Sequence, residues 1–263
     1  MELATTLSEH VRTRLARAER IAVLTGAGIS AESGVPTFRD PDGLWARFRP
    51  EELASMEGFL ANPERVWQWY QHRRHVLESV QPNPAHRALV QLENLVGEVT
   101  IITQNVDRLH QRAGSHRVLE LHGNLEDNYC SACGRPYCDD GSADDRLPPR
   151  CPSCGGLIRP AVVWFGEPLP ADFFAAAERA ARRAEVFLVV GTSCQVYPAA
   201  ALPQIAWECG ATIIEINPSP KPIGSIAHAV LPHKAGSALP ALVEHIAWLR
   251  ATGGTEQTTL PQR

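Results

Sequence analysis

A chain of 263 residues, 44% hydrophobic and 21% charged, is long enough for one sizeable core carrying an inserted module. Its net charge of -4 argues against direct nucleic-acid binding, because a phosphate-binding face needs a basic excess. No stretch approaches the roughly 18 consecutive apolar residues of a membrane span, so no membrane partner is expected.

Residues 4–20 place Leu7, Val11, Leu15 and Ala18 at helical spacing and predict an amphipathic helix. Arg12, Arg14, Arg17 and Arg20 mix there with Glu9 and Glu19, which suits a surface helix better than a targeting segment. Ile21 to Leu24 then has the length and β-branched content of a buried strand. Gly26, Gly28 and Ala31 follow at the G-x-G-x-x-G/A spacing of a dinucleotide-binding turn. In that reading the first glycine makes the tight turn, the second lets backbone approach a pyrophosphate, and the small third residue lets helix pack on strand. The same spacing equally serves a glycine turn that holds no ligand. A hydride-transferring dehydrogenase would show a strand ending in an acidic residue about 20 positions on. Phe38 to Trp45 is instead loop chemistry, so that layout is not expected.

From Pro50 to Val80 the pattern is helical and aromatic-rich, with Pro63 suited to the first turn of a helix capped by Asn62. Tyr70 and Arg73 lie three apart and share a face of it. They are either a surface aromatic beside a solvated charge, or a phenol and a guanidinium converging on a carboxylate. A further helix is predicted over 85–95. The strand Val99 to Thr103 ends in Gln104, Asn105, Val106 and Asp107, and a shorter one over 118–121 ends at His122 and Gly123. Strand-end caps and a structural histidine compete there with catalytic roles. Next come a helix over 172–184, a strand over 186–190 ending in Gly191, Thr192 and Ser193, a helix over 199–209, and a strand over 212–216 ending at Asn217. A last strand near 229–231 precedes Gly236, Ser237 and Ala238 and a final helix over 239–249. Residues 251–263 read as a disordered tail.

Strands alternating with helices imply an α/β fold with a Rossmann-like, doubly wound parallel sheet. Small and polar residues end its strands, at the edge where ligands bind in such sheets. The chain divides into a dinucleotide-binding domain built from 1–40, 85–125 and 160–250, and a smaller inserted domain. The latter comprises a helical part, 41–84, and a zinc-binding module, 126–159. Cys130-x-x-Cys133 and Cys151-x-x-Cys154 carry that module, since two knuckles can offer four thiolates to one structural zinc. Cys138, Cys194 and Cys209 receive no role, and a reduced, cytoplasmic protein is expected.

In their order along the chain, Gly26-Ala27-Gly28-Ile29-Ser30, Ser33-Gly34, Pro36, Phe38-Arg39, Gln104-Asn105, Asp107, His122-Gly123, the four cysteines, Gly191-Thr192-Ser193 and the Asn217 strand end resemble the sirtuins. These are NAD-dependent protein-lysine deacylases, and the resemblance runs from about residue 20 to 247. Trp69-Tyr70-Gln71-His72-Arg73-Arg74 and Val162 to Glu167 are similar to their class III subgroup. The resemblance implies NAD as co-substrate, with Gly26, Ala27, Gly28, Ser30 and Glu32 at the pyrophosphate and adjacent ribose. Phe38 and Arg39 would belong to a mobile loop over the nicotinamide ribose, with Pro36 and Trp45 as further cofactor contacts. Gln104 and Asn105 would meet that ribose, and Asp107 the carboxamide. Gly191, Thr192, Ser193, Asn217 and Ala238 would surround the adenosine half.

Catalysis is assigned by the same resemblance to His122 as general base, with Asn105 beside it. The acyl-lysine oxygen would attack the ribose carbon that nicotinamide leaves, ending in free lysine and O-acyl-ADP-ribose. Expected partners are acyl-lysine proteins or peptides bound extended against Val163, Phe165 and Gly166, by a monomeric enzyme. Tyr70 and Arg73 would meet the distal carboxylate of succinyl- or malonyl-lysine, and acetyl-lysine would enter more weakly. Mono-ADP-ribosyl transfer in the same pocket, or NAD sensing without turnover, are the alternatives.

Overall fold

The computed structural model describes residues 7–38, 49–138, 147–219 and 223–253. In chain order it contains α1 (Glu9–Arg17), β1 (Arg20–Thr25), α2 (Ala27–Ser30), α3 (Pro50–Leu53), α4 (Met56–Ala61), α5 (Pro63–Ser79) and α6 (Pro84–Leu95). There follow β2 (Glu98–Thr103), α7 (Leu109–Ala113), β3 (Val118–Glu120), β4 (Gly123–Cys130), β5 (Pro136–Tyr137) and β6 (Ile158–Val162). The last third holds α8 (Ala171–Arg183), β7 (Val186–Val190), α9 (Leu202–Glu208), β8 (Thr212–Ile216), β9 (Ala229–Leu231) and α10 (Ala235–Thr252).

Six strands form a parallel sheet in the order β3-β2-β1-β7-β8-β9. Side chains alternate across a strand, and both faces of this sheet are covered, so its central strands are largely apolar, β7 throughout. Ile21 and Val23 join one core with Val186, Leu188 and the inner faces of α1, α6 and α10. Ala22 and Leu24 join the other with Phe187, Val189 and the alanines of α8. Strand order reverses between β1 and β7, which opens a crevice at their carboxyl ends. Among the described residues no helix is long and apolar enough to cross a membrane.

A second, three-stranded antiparallel sheet in the order β5-β4-β6 supports the smaller lobe. It packs on α5, where Phe59, Val66, Tyr70, Leu125, Val162 and Trp164 make a separate core. Asn62 caps α5 through the Arg65 N–H, with Pro63 in its first turn, as the sequence predicts.

Several boundaries differ from the sequence reading. The antiparallel sheet was not anticipated: β4 reads Gly-Asn-Leu-Glu-Asp-Asn-Tyr-Cys and β6 contains Pro160, so neither has the alternation of a strand. In the described chain the first helix starts only at Glu9, with Ser8 accepting the Val11 N–H as cap, and stops at Arg17, where Ala18 turns extended to enter β1. Residues 199–201 are a 3-10 turn before α9 rather than its first turn. Gly236, Ser237 and Ala238 already belong to the last helix, which starts at Ala235 rather than at 239. Glu32 draws them in by accepting the Gly236 N–H at 2.7 Å, and Ala235, Ala238 and Leu239 are buried in the core. The same helix runs on to Thr252 and ends at left-handed Gly253, so the tail does not begin at 251.

Candidate functional site

The crevice is framed by two turns that interlock. Gly26 N–H donates to Val190 O at 3.1 Å, and Gly28 N–H to Gly191 O at 2.9 Å. A Cβ on Gly28 would stand 2.8 Å from the Gly191 Cα, and one on Gly191 would stand 2.5 Å from the Ile29 nitrogen. The second glycine of the motif therefore lets β1 and β7 end side by side. That is a different reason from the pyrophosphate approach expected of it, and its N–H already has a partner.

Behind the turn lies a buried polar network. Asn105 spends its side-chain amide on Gly26 O and Ser30 Oγ, both at 3.1 Å. Ser30 also hydrogen-bonds Asp107, whose carboxylate accepts the Leu109 N–H at 3.0 Å. Burial pushes the Asp107 pKa up, against these hydrogen bonds and the charges of Arg73 and Arg112. Gln104 reaches across the crevice to Thr192 Oγ1 at 2.9 Å, and Asn217 donates to Thr192 O at 3.1 Å.

His122 stands half-buried where β3 gives way to β4, with its Nδ1 3.0 Å from Gln104 O. A carbonyl only accepts, so Nδ1 carries the proton and Nε2 keeps the lone pair. Desolvation lowers its pKa, opposed by that hydrogen bond, which leaves a neutral imidazole at pH 7. Gly123 must follow it: φ is +69°, and a Cβ there would lie 2.0 Å from Ala161 O. His122 O accepts the Val163 N–H at 2.9 Å, so the histidine is tied to the Val163–Gly166 segment.

These groups line one cleft of about 580 Å³. Gly26, Ala27, Gly28, Glu32, Phe38, Gln104, Asn105, His122, Gly191, Thr192, Ser193 and Asn217 meet there. So do Tyr70, Arg73, Val163, Phe165 and Gly166. Pro36 and Asp107 line a smaller cavity of about 70 Å³ that shares Ala27, Phe38, Arg73 and Asn105 with the cleft. Ser30 is wholly buried under the turn. Ala238 is not brought to the cleft; it is a core residue of α10, at 0% exposure. Arg39 and Trp45 lie outside the described residues. The sequence reading missed Trp164 as a site residue, although it took its neighbours Val163, Phe165 and Gly166 as peptide contacts. Lys234, which precedes α10, was also missed; it lies beyond the recognisable motifs.

Tyr70 is 2% exposed, not a surface aromatic. Its oxygen accepts the Trp164 indole N–H at 2.9 Å. Burial raises its pKa, only partly offset by Arg73, so it is a neutral phenol. The Arg73 guanidinium lies 4.8 Å from the Trp69 ring centroid, 5.3 Å from Phe38 and 5.8 Å from Tyr70. Burial lowers its pKa, with Tyr70 and Asp107 acting the other way. Among the described residues no acceptor takes a hydrogen bond from Arg73 or from the Tyr70 hydroxyl.

The four cysteines converge 24 residues apart at the extremes, with all four sulfurs within 4.8 Å of one another. Cys130 and Cys154 Sγ are 3.5 Å apart, and Cys133 and Cys151 3.8 Å. Tetrahedral thiolates at zinc–sulfur distances of about 2.3 Å would sit about 3.8 Å apart, so the set fits zinc. Backbone N–H groups of Ser153 and Cys154 point at Cys151 and draw its thiol down to about 6. The neighbouring thiols push that of Cys154 up, so the protons of the four sulfurs are shared across the set. All positions of a closed four-sulfur site are filled, so it has no opening for substrate.

A Rossmann-like crevice with a glycine turn, joined to a lobe with a four-cysteine cluster, defines the class as a Rossmann-like α/β protein with a cysteine-knuckle module. The Sir2 family model matches residues 26–198. NAD-dependent protein deacylase 2 of Pyrobaculum aerophilum is 51% identical over 237 residues, covering 90% of this chain and 95% of that protein. An NAD-dependent protein deacylase of Mycobacterium tuberculosis is 52% identical over 233 residues, covering 86% and 98%. A solved Sir2 homologue in complex with NAD is 46% identical, with a TM-score of 0.84 over 92% of this chain and 95% of its own. The chain belongs to the Sir2 family.

Proposed function

We propose that the protein is an NAD-dependent protein-lysine deacylase that prefers the acidic acyl groups succinyl and malonyl and also removes acetyl. The names of its relatives support NAD-dependent protein deacylation. The acyl preference rests on one observation. Tyr70 and Arg73 line the same cleft as His122, three residues apart on α5, with donors that no described protein group satisfies. A carboxylate is the complement of that pair, and arginine suits it best. Each charge-assisted hydrogen bond is worth about 1.5–3 kcal/mol. An uncharged acyl group leaves the donors unpaired, which is how such a site discriminates.

In this reading the turn at Gly26–Gly28, Ser30, Glu32, Gln104 and Asn105 holds the pyrophosphate and ribose portions of NAD. Gly191, Thr192, Ser193 and Asn217 hold the adenosine half. Pro36, Phe38 and Asp107 enclose the nicotinamide, with Arg39 and Trp45 contributing from outside the described residues. Bound NAD supplies an electrophilic ribose carbon once nicotinamide leaves. His122 then takes a ribose hydroxyl proton on Nε2, while its Nδ1–H stays on Gln104 O. Asn105 fixes the turn against which the ribose lies. Val163, Phe165 and Gly166 offer an extended edge to the acyl-lysine peptide, and Cys130, Cys133, Cys151 and Cys154 hold one structural zinc. Four cysteines held as metal ligands and three more outside any disulfide suit a reducing cytoplasm.

Matched lysine peptides carrying acetyl, malonyl or succinyl groups, incubated with and without NAD and read by mass spectrometry, test the proposal. Loss of the acyl group only with NAD, fastest for the acidic groups, is the expected result. ADP-ribose attached to a peptide that keeps its acyl group would make the protein a transferase instead.

A further inference from the structure

The Val163–Gly166 segment is held by an ion pair between a buried arginine and a half-buried glutamate at the edge of the cleft, which no step of the proposed chemistry uses. Arg159 is 1% exposed, and its guanidinium grips both carboxylate oxygens of Glu167 and also Val162 O at 3.0 Å. Glu167 in turn accepts the backbone N–H of Trp164 at 2.8 Å. The Arg159 guanidinium lies 3.5 Å from the Trp164 ring centroid, and Phe59 packs at 5.2 Å. Taking the Arg159 charge out of water offsets much of the attraction, so the pair adds little net stability. What it does achieve is a single position for the Trp164 ring.

That position matters because of what the indole touches. Indole nitrogen can only donate, so the phenol oxygen of Tyr70, 2.9 Å away, must accept. A phenol hydrogen prefers the ring plane and has two places there. The Trp164 N–H points at the same oxygen, so the phenol hydrogen turns to the place away from it. Among the described residues nothing accepts it, and Tyr70 lines the cleft.

We propose that Trp164 sets Tyr70 as a hydrogen-bond donor toward the acyl group, and that Arg159 and Glu167 are positioning residues that hold Trp164 for this task. The inference deepens the acidic-acyl reading and rests on it. Tyr70 then adds selectivity only while Trp164 claims its oxygen, so the two residues act as one unit.

A double-substitution cycle tests this. The succinyl-to-acetyl ratio of kcat/KM is measured for the wild type, Tyr70→Phe, Trp164→Phe and the double variant. Taking both substrates on one preparation cancels any loss of folded enzyme. Each single substitution is expected to lower the ratio about tenfold, the scale of one charge-assisted hydrogen bond. Adding Trp164→Phe to Tyr70→Phe is expected to change it less than about twofold, since coupled residues are not additive. Arg159→Lys, which keeps the charge but loses the fork, is expected to lower the ratio in the presence of Tyr70 and not in Tyr70→Phe. Multiplicative effects, or a ratio untouched by Trp164→Phe, would overturn the inference while leaving the acidic-acyl reading intact. A wild type with no preference for succinyl would remove both.

Discussion

His86 and His110 sit beneath the glycine turn with rings 5.0 Å apart, at 0% and 1% exposure. His86 accepts the Asn83 N–H on Nδ1 and faces Ser30 Oγ with Nε2, while His110 Nε2 lies 3.0 Å from Thr25 Oγ1. Burial pushes their pKa values down to about 4 and about 3. In the unfolded chain both titrate near 6.5. Between those limits the unfolded state binds protons that the folded state refuses, so stability rises with pH. It is fully present above about 6.5 and is lost as pH falls toward the folded values. Each histidine contributes a slope of about 1.4 kcal/mol per pH unit, so the pair gives about 2.7 near pH 5. Urea unfolding, followed by tryptophan fluorescence from pH 6 to 4.5, reads this slope directly. His110→Phe keeps the ring volume and removes one titrating site. Its slope should be shallower by about 1.4 kcal/mol per pH unit. Other titrating groups contribute to both proteins and cancel in the difference. Parallel slopes would refute the reasoning and mean that protons reach His110 in the folded protein.

Three further outcomes follow from the geometry. Gly28→Ala drives a methyl group to within 2.8 Å of Gly191 backbone and should cost about 1–3 kcal/mol, a drop of several degrees in Tm by calorimetry. With zinc in the knuckles, thiol modification should release one equivalent of zinc per chain into a chromogenic chelator. Cys151→Ala should bind less than one equivalent and melt at lower temperature. Because desolvation lowers the His122 pKa, the acid limb of kcat/KM should fall below the ordinary histidine value of about 6.5, and His122→Ala should bind NAD yet lose turnover. An acid limb above that value would contradict a desolvated neutral base.

The parallel sheet was legible because its strands are buried on both faces and therefore appear as unbroken apolar runs, as in Val186–Val190. The cysteine module was legible from its pairing alone. Gly28 shows where motif and reason part: the spacing identified the turn, but the partner that demands glycine is Gly191, far away in sequence and invisible to a local pattern. The antiparallel sheet was illegible for a similar reason. Its strands are held by pairings such as Tyr129 with Arg159, and by a core on α5, rather than by their own apolar period. Helical spacing put Tyr70 and Arg73 on one face, but the burial that separates a binding pair from a solvated one comes from tertiary packing, of Tyr70 on Trp69 and Trp164 and of Arg73 on Phe38 and Trp69. Ala238 was placed at the adenosine half by resemblance, and a helix that begins four residues earlier than predicted turned it into the core.

The central claim is that this cleft recognises a carboxylate at the end of the acyl chain through Arg73. Its most direct test is kcat/KM for matched succinyl- and acetyl-lysine peptides, compared between the wild type and Arg73→Met. The account predicts a wild type that favours succinyl and a variant whose preference collapses by about tenfold or more while acetyl removal continues. Equal preference in both proteins, or a wild type that removes acetyl alone, would contradict it.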